Sequence, residues 1–435
     1  MMKSQKKYDI VITGAGIAGI SAAVKAGNMG CSVLLVEHYP FAGGMSSAGM
    51  VSPFMKSVTG GKDLVKGVYK QLEQSMRSNG GMIDNGFYAW AFRAAANELL
   101  FNSKVDIAYN ADVIAAERKN GKLLSLKLAS PAGVSEVFAE QFIDTSGDAQ
   151  LLVLGDFPWI KGDEKTGKLQ ALTLFFRMGG IDVRETAEYS KKHPEDFLGW
   201  MDFKFDFSRI ISIAGYTGLI DKAKKEGRFP DDVEYVFFTS LPESGEGAFN
   251  TTNILGIDPS SSDALTLAEK EGHRQVAQIV DFLNKDVPGF ENAFLIDTAV
   301  QVGVRETRRA VAQYMMTGDD VLKAAKFPDA IARGCYGVDI HGQKGEKNRM
   351  DELEEGIWYD IPKRSLRVRD AENLMVAGRC IGATREGHAA LRIQPTASAT
   401  GEACGAIAAL AVLMKTKLDE VPYEKIKTML THNIG

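Results

Sequence analysis

The sequence has few cysteines, only four in 435 residues: Cys31, Cys335, Cys380 and Cys404. No two of them have the Cys-x-x-Cys spacing of a redox dithiol or of half a zinc site. A chain of this size does not need a disulfide scaffold, so we expect a reducing compartment and predict a cytoplasmic protein. The sequence also lacks the His-Glu-x-x-His spacing of a helical metal site, and we expect no bound metal.

Long apolar runs and an excess of one charge are also missing. The longest apolar stretch, residues 403–414, has 12 residues, whereas roughly 20 are needed to cross a bilayer. The 51 Lys and Arg residues against 56 Asp and Glu residues leave a net charge of −5, which provides no basic surface for nucleic acid or lipid headgroups. We therefore expect a soluble protein with neither nucleic-acid nor membrane partners.

Glycine, by contrast, is abundant: its 44 residues are about 10% of the chain, against a usual figure of about 7%. The most informative cluster is Gly14-Ala15-Gly16-Ile17-Ala18-Gly19, which follows a β-branched run over residues 10–12. An alanine-rich stretch over 20–29 predicts a helix, and residues 32–36 predict a second strand that ends at Glu37. This order of strand, glycine turn, helix, strand and acid is the context of a dinucleotide-binding fingerprint.

Each position of the fingerprint has a mechanical reason. Gly14 allows the tight turn, Gly16 lets the backbone approach a pyrophosphate, and Gly19 lets the helix pack close to the sheet. The pyrophosphate then meets the free N–H groups and the positive end of the helix dipole. Glu37 lies 23 residues after Gly14, where a carboxylate accepts hydrogen bonds from ribose hydroxyls and repels the 2′-phosphate of NADP.

A second glycine pair, Gly43-Gly44, follows the second predicted strand within the loop 40–47. A small-residue loop here suits a ligand that runs on past the pyrophosphate, as the ribityl chain and flavin of FAD do. The sequence therefore favours FAD. An NAD-dependent dehydrogenase and a flavin-binding protein without turnover remain the two alternatives. No second fingerprint is found, so we expect no separate NAD(P)H domain.

The remaining pattern predicts an α/β fold, with an FAD-binding doubly wound parallel sheet, a small antiparallel β insertion, and an inserted α+β substrate domain. We place the FAD-binding domain at 1–155 and 362–435 and the substrate domain at 156–361. The Asn120-Gly121 turn predicts a hairpin within the insertion. The other predicted elements are helices over 64–77, 88–102, 265–284, 300–316 and 395–413, strands over 105–107, 112–116, 123–129, 134–139, 140–143, 170–178, 234–240 and 374–377, and a polar loop over 341–356.

Taken together, several motifs resemble FAD-dependent oxidoreductases of the glutathione-reductase fold group, in particular a bacterial branch whose substrates are largely undefined. The C-terminal run 387–392 is also distantly similar to the flavoprotein subunits of fumarate reductase and succinate dehydrogenase. The resemblance covers residues 8 to 415 approximately. The motifs that carry it are the two glycine groups with Glu37, and the runs Thr145-Ser146-Gly147-Asp148, Val302 to Arg309, Asp339-Ile340-His341, Ala377-Gly378-Arg379 and Gly387-His388-Ala389-Ala390-Leu391-Arg392.

The resemblance implies two groups of cofactor-binding residues. The pyrophosphate and adenosine half of FAD would be held by Gly14, Gly16, Ala18, Gly19, Glu37, His38, Val113, Ser146 and Gly147. The ribityl chain and flavin would be held by Gly43, Gly44, Met45, Ser46, Gly378, Arg379, Gln394, Pro395 and Thr396. A helix that begins near Pro395 would also aim its N-terminal N–H groups at the negative charge of a reduced flavin.

The candidate catalytic residues are Arg392, His341, Arg305 and Arg308. Arg392 could anchor a carboxylate or deliver a proton, and a histidine such as His341 titrates near working pH. On the predicted helix over 300–316, Arg305 would share a face with Arg308 and Arg309 and hold an anionic substrate. We expect hydride transfer between a small, possibly anionic substrate and flavin N5 in an interdomain cleft, with an electron donor or acceptor that these residues do not identify. Cys380 is expected near the flavin, mainly as a packing residue, and His388 could be structural.

Overall fold

The computed structural model describes residues 6–241 and 245–434. In these ranges the strands are β1 (Lys6–Thr13), β2 (Val33–Val36), β3 (Val58–Thr59), β4 (Lys62–Asp63), β5 (Met82–Ile83), β6 (Gly86–Phe87), β7 (Val105–Ala108), β8 (Asp112–Lys119), β9 (Lys122–Ser130), β10 (Gly133–Asp144), β11 (Trp159–Lys161), β12 (Phe176–Gly179), β13 (Ser212–Gly215), β14 (Val236–Ser240), β15 (Gly247–Phe249), β16 (Phe294–Thr298), β17 (Arg308–Ala310), β18 (Ala330–Gly334), β19 (Val338–Ile340), β20 (Arg349–Asp351), β21 (Tyr359–Pro362) and β22 (Leu374–Val376).

The α-helices of the same ranges are α1 (Ile17–Asn28), α2 (Gly67–Ser78), α3 (Ala89–Asn102), α4 (Gln150–Leu154), α5 (Val183–Lys192), α6 (Thr217–Lys225), α7 (Ser262–Asp286), α8 (Gly318–Leu322), α9 (Arg385–Leu391), α10 (Gln394–Met414), α11 (Tyr423–Met429) and α12 (Thr431–Ile434).

The first large sheet has the order β7-β2-β1-β10-β9-β8, and β22 also pairs with β10. Strands β7, β2, β1, β10 and β22 are parallel. Strand β9 is antiparallel to the first half of β10, and β8 is antiparallel to β9. The predicted strands over 134–139 and 140–143 are therefore one continuous strand, because no glycine or proline interrupts the chain between residues 134 and 144. The predicted parallel sheet and its antiparallel addition are confirmed.

Helices α1 and α10 pack against each other through small residues. A Cβ atom on Gly401 would lie 2.0 Å from the carbonyl oxygen of Ala18, and one on Gly405 would lie 2.3 Å from that of Ala22. By length and composition α10 could cross a membrane, but it is buried in the core from Pro395 to Ala411. The close packing brings the N-termini of the two helices to the same edge of the sheet.

The second large sheet is antiparallel, with the order β13-β14-β15-β12-β16. Its core includes stacked aromatic rings, with Phe249 between Phe176 and Phe238, and the buried face of the 25-residue helix α7. This unit is the inserted α+β region that the sequence predicts. The predicted strand over 170–178 is shorter, however, since only β12 joins the sheet.

The packing changes at a different place from the predicted boundary at residue 361. The second core spans Leu172 to Val304, whereas Ile331, Val338 and Ile361 belong to the core of the parallel sheet. Residues 316–361 therefore pack with the unit that contains the parallel sheet, whose α10 contacts β18.

The predicted helix over 300–316 is wrong. This segment is extended: the backbones of Thr173 and Gly303 exchange hydrogen bonds, and β17 pairs with β11. The β-branched Val302 and Val304 on either side of Gly303 favour extended backbone over helix. Consequently Arg305 and Arg308 do not share a helical face.

Candidate active site

A long cavity of about 780 Å³ lies at the carboxyl ends of the parallel strands, between the two units. This edge is where open α/β sheets bind ligands, and the volume falls within the roughly 300–1,000 Å³ of small-molecule sites. One end is lined by Glu37, His38, Val113 and Ser146. The other end is lined by Arg305, Tyr336, Asp339, His341 and Arg392.

The three glycines of the fingerprint have different surroundings. A Cβ atom on Gly14 would lie 2.7 Å from the Cα of Ser146, and one on Gly19 would lie 1.9 Å from the carbonyl oxygen of Gly14. A Cβ atom on Gly16 would meet nothing within 4 Å. Gly14 and Gly19 thus allow close packing, whereas Gly16 borders open cavity space at the N-terminus of α1. That space beside unpaired helical N–H groups fits a pyrophosphate.

Glu37 is buried and lies in the cavity wall at the end of β2. Its Oε2 accepts a hydrogen bond of 2.6 Å from the Ala15 N–H, and its Oε1 accepts one of 3.0 Å from the Tyr39 N–H. The Nδ1 of His38 lies 3.0 Å from Oε1, and this hydrogen bond raises the pKa of His38. The carboxylate therefore also stabilises the glycine turn through these hydrogen bonds, a role that the sequence reasoning did not include.

The second glycine pair packs directly on the first. The Gly43 N–H donates to the Ala15 carbonyl oxygen over 2.7 Å, and a Cβ atom on Gly44 would lie 3.0 Å from the Cα of Gly16. Both glycines have positive φ, +125° and +49°, which favours glycine there. The cleft continues past this pair along Met45 and Ser46, as a ligand longer than the pyrophosphate requires.

Gln394, the first residue of α10, is held on both sides of its amide. Its Oε1 accepts from the Ser46 hydroxyl, and its Nε2 donates to the Val51 carbonyl oxygen over 2.8 Å. Most of the predicted cofactor residues line the cavity. Those that do not line it are Gly19, Pro395 and Thr396, which are covered by neighbouring packing.

Gly378 and Arg379 complete the middle of the wall. Gly378 has a φ of +65°, and a Cβ atom there would lie 3.0 Å from that of Ala18. Arg379 donates to the Val304 carbonyl oxygen over 2.8 Å and to Asp148 over 3.0 Å. Its guanidinium covers Gly147, where a Cβ atom would lie only 2.5 Å from Nη2.

At the far end of the cavity, Arg305 pairs with no acidic side chain in the described ranges. Its Nη1 donates to the Ala171 carbonyl oxygen over 2.7 Å, and its Nη2 lies 3.5 Å from the Asn250 side-chain oxygen. No described carboxylate lies within 4.0 Å of this guanidinium. Burial and the neighbouring Arg392 lower the pKa of Arg305 to about 10, so the side chain stays charged at neutral pH.

Asp339 connects the other polar groups of this end. Its Oδ2 accepts from the Tyr336 hydroxyl over 2.9 Å and from Arg392 Nη2 over 3.1 Å, and its Oδ1 lies 3.4 Å from His341 Nε2. Burial acts to raise the pKa of Asp339, but His341, Arg392 and Tyr336 overcome it and hold that pKa well below its ordinary range.

His341 lies in the cavity wall. Burial and the charge of Arg305 lower the pKa of His341 to about 4. The sequence reasoning assumed an acid/base group with an unperturbed pKa near 6.5, and the lowered pKa keeps the ring neutral over a wider pH range than that assumption allows. Asp339 and Tyr336 were not among the predicted site residues, although the alternation in Asp339-Ile340-His341 places Asp339 and His341 on one side of the strand.

The remaining candidates lie elsewhere. Arg308 lines the cavity beside Asp148 and Ser260, donating to their carbonyl oxygens over 3.0 and 3.2 Å. Arg309 is fully buried and bonds Glu306 over 2.7 Å, so its role is structural. His388 and Cys380 are also fully buried outside the cavity wall, and burial raises the pKa of the Cys380 thiol.

Residues 9–430 match the FAD dependent oxidoreductase family. The chain belongs to this family. Its cofactor is FAD, and the protein is an oxidoreductase. This result decides against the NAD-dependent alternative.

Individual relatives are distant. A segment of 48 residues, 10% of this chain, is 50% identical to NADH:fumarate oxidoreductase of Klebsiella pneumoniae (strain 342), and the match spans only 5% of that protein. A geranylgeranyl bacteriochlorophyll reductase-like protein of Thermoplasma acidophilum has a TM-score of 0.50 at 12% identity, covering 98% of this chain and 83% of that one. The flavin-dependent brominase Bmp2 has a TM-score of 0.50 at 11% identity, covering 98% and 84%. At these identities the two structures show the shared fold alone.

Proposed function

We propose that this flavoenzyme transfers hydride between FAD and a small anionic substrate, which binds between the two units at the end of the cavity lined by Arg305 and Arg392. The observation that carries the proposal is the unpaired guanidinium of Arg305 in the cavity wall. A partly desolvated cation without a counter-ion is costly unless a ligand supplies the negative charge.

FAD supplies a two-electron acceptor or donor when it is bound, and this chain provides the binding surfaces. Gly16 and the start of α1 fit the pyrophosphate, and Glu37 lies where the adenosine ribose would bind. Gln394 and the N-terminus of α10 line the path of the cavity toward Arg392. The preorganised N–H groups at this helix end favour negative charge close to them.

The two arginines differ in their freedom to bind an anion. Arg392 is shared with Asp339, whereas Arg305 donates only to neutral oxygens. Arg305 is therefore the main anchor of the substrate anion. Arg392, which is itself held by Asp339, helps to orient that anion. His341 is the group that exchanges a proton, since it is neutral at neutral pH and lines the same space.

The test is anaerobic bleaching of the yellow holoenzyme with a panel of small carboxylates, carried out with Arg392→Ala beside the wild type. We expect Arg392→Ala to abolish turnover while the protein remains yellow. Arg274→Ala is a matched control, because Arg274 is exposed on α7 and pairs with Glu271 outside the cavity. Unimpaired turnover of Arg392→Ala would refute its role, and a wild type that no substrate bleaches would favour the flavin-binding protein without turnover.

Two further parts of this proposal rest on the sequence. Because the sequence has no second dinucleotide fingerprint, we propose that an unidentified electron donor or acceptor completes the cycle without a separate NAD(P)H domain in this chain. The sparse cysteines are the basis for proposing a cytoplasmic location.

A further inference from the structure

We infer that the substrate is a carboxylate with a hydroxyl group on the neighbouring carbon, and that Asp339 orients His341 so that Nδ1 of His341 takes the hydroxyl proton as the substrate is oxidised. This inference rests on the proposed function and adds the substrate class, the direction of the reaction and a positioning residue.

The first step is the tautomer of His341. A carboxylate only accepts hydrogen bonds, and Oδ1 of Asp339 is the acidic oxygen beside Nε2 of His341, 3.4 Å away. This contact favours the neutral ring with its proton on Nε2 and its lone pair on Nδ1. Among the described residues neither ring nitrogen has a shorter polar contact, and Asp339 approaches the Nε2 side, so Nδ1 is left for a ligand in the cavity that His341 lines.

The second step is the charge of the ring. The charged groups that act on His341 are Arg305, Arg392 and Asp339. Tyr336 and Tyr235 interact in turn with Arg305 and Asp339. Burial and Arg305 keep the imidazole neutral at pH 7, since its pKa is lowered to about 4. A neutral imidazole can accept a proton but has none to give from Nδ1. In the direction of oxidation, the lone pair on Nδ1 can therefore take the proton that the substrate loses.

The third step is the nature of the group that loses the proton. Two guanidinium groups and a single carboxylate line this end of the cavity. The carboxylate, Asp339, already accepts from Tyr336 and Arg392 and contacts His341, so most of its negative charge is balanced by groups of the protein and little is left for a substrate ammonium group. An ammonium group would also be repelled by the two cations, whereas a neutral hydroxyl group can donate to Nδ1 without that penalty.

In the resulting step the O–H bond breaks and its proton goes to Nδ1 of His341, which becomes an imidazolium next to Asp339. The C–H bond of the same carbon breaks with its electron pair, which leaves as hydride to the two-electron acceptor that FAD supplies. The carbon–oxygen double bond forms, and the hydroxy acid becomes an oxo acid. Asp339 stabilises the positive charge that develops on the ring and does not itself need to be protonated.

The substrate class is tested with two series of equal carbon frame, using the yellow holoenzyme without oxygen. One series is lactate, alanine and propionate; the other is malate, aspartate and succinate. We expect bleaching only by a hydroxy acid, and competitive binding by the plain carboxylate of that series. Bleaching by an amino acid or by a plain carboxylate would overturn the hydroxyl assignment. If the protein is yellow and none of the six compounds binds, the result contradicts the anion site of the proposed function and not only the hydroxyl assignment.

The role of Asp339 is tested by nitrogen NMR of holoenzyme labelled with ¹⁵N-histidine, in which the His341 signals are those lost in His341→Gln. Between about pH 5 and pH 8 the wild type should show one neutral ring with the proton on Nε2. Asp339→Asn should show a mixture of tautomers. A charged ring at neutral pH, or the proton on Nδ1 in the wild type, would overturn the inference.

Kinetics with the active hydroxy acid provide an independent measurement. His341→Gln should lower kcat by about 10²–10⁴-fold, the usual contribution of a general base, with a smaller change in KM. Asp339→Asn should lower kcat less than His341→Gln, and Asp339→Glu should restore part of the loss. Asp319→Asn is the matched control, since Asp319 is exposed and pairs only with Lys323. Equal kcat values for Asp339→Asn and the wild type would contradict the positioning role.

Discussion

Replacing Arg305 by glutamine is the most direct perturbation of the candidate substrate site. Glutamine removes the charge but can still donate to the Ala171 carbonyl oxygen, which Arg305 reaches over 2.7 Å. Arg305 has no salt bridge to a described carboxylate. The substitution therefore breaks no ion pair of the protein, and its effect on ligand binding is not confused with a loss of internal pairing.

The expected magnitude follows from the hydrogen bond that a guanidinium makes to an anion. Such charge-assisted bonds contribute about 1.5–3 kcal/mol, and each 1.4 kcal/mol corresponds to about tenfold in affinity. We expect Arg305→Gln to weaken the binding of a carboxylate by about 10- to 150-fold. Burial, together with the charge of Arg305, lowers the pKa of His341 to about 4. The same variant removes the charge but not the burial, so it should raise that pKa part of the way toward its ordinary 6.5.

The assay is titration calorimetry of the holoenzyme with succinate, propionate and lactate, with flavin absorbance to confirm that FAD remains bound. Arg274→Gln is the control, because it removes one arginine charge from the exposed surface of α7. The pH below which activity is lost should also be higher in Arg305→Gln than in the wild type, because the ring of His341 is protonated more easily. Unchanged affinity for every carboxylate that the wild type binds would refute Arg305 as the anion anchor.

Two further substitutions test the glycine turn and the C-terminal packing. Gly19→Ala should lower the free energy of unfolding by about 1–3 kcal/mol, because its Cβ would lie 1.9 Å from the Gly14 carbonyl oxygen. Gly16→Ala should leave the urea midpoint of the FAD-free protein unchanged and weaken FAD binding, since that Cβ enters open space. A larger loss of stability in Gly16→Ala than in Gly19→Ala would contradict the packing roles. Glu402 is buried against His432 and Lys25, and the hydrogen bond from His432 overcomes burial to lower the pKa of Glu402 below its ordinary 4.5. Its stabilisation is present above pH 4.5 and is lost as the pH falls through the lowered value, so the gap in unfolding midpoint between wild type and Glu402→Gln should be full at neutral pH and close in acid; a gap that is independent of pH would contradict this assignment.

The cofactor half of the site was predictable because its determinants are local. A turn that needs positive φ at Gly14, a backbone approach at Gly16 and an acid after the next strand must all occur within some 25 residues. The second pair, Gly43-Gly44, is equally close to the fingerprint. Its packing on Gly16 shows why the pair extends the same cleft.

The substrate half was predictable only in part. The sequence singled out Arg305, His341 and Arg392, which all line the cavity, but its reason for Arg305, a helical face shared with Arg308, is wrong. The extended backbone at Gly303 sends Arg305 into the cavity and Arg309 into a buried pair with Glu306. Local propensity is a weak guide for such a segment, because pairing with Thr173, 130 positions earlier in the chain, decides its conformation.

By itself, the sequence determined the parallel sheet, the glycine turns and the FAD-binding class, since each depends on residues whose backbone requirements are satisfied by near neighbours. Only the tertiary structure decided that Arg305, Asp339, His341 and Arg392 meet at one end of a single cavity. It also decided that His341 is neutral there, because the charge and the burial that lower its pKa come from residues remote in the chain. Long-range contacts of this kind leave no periodicity or spacing in the sequence.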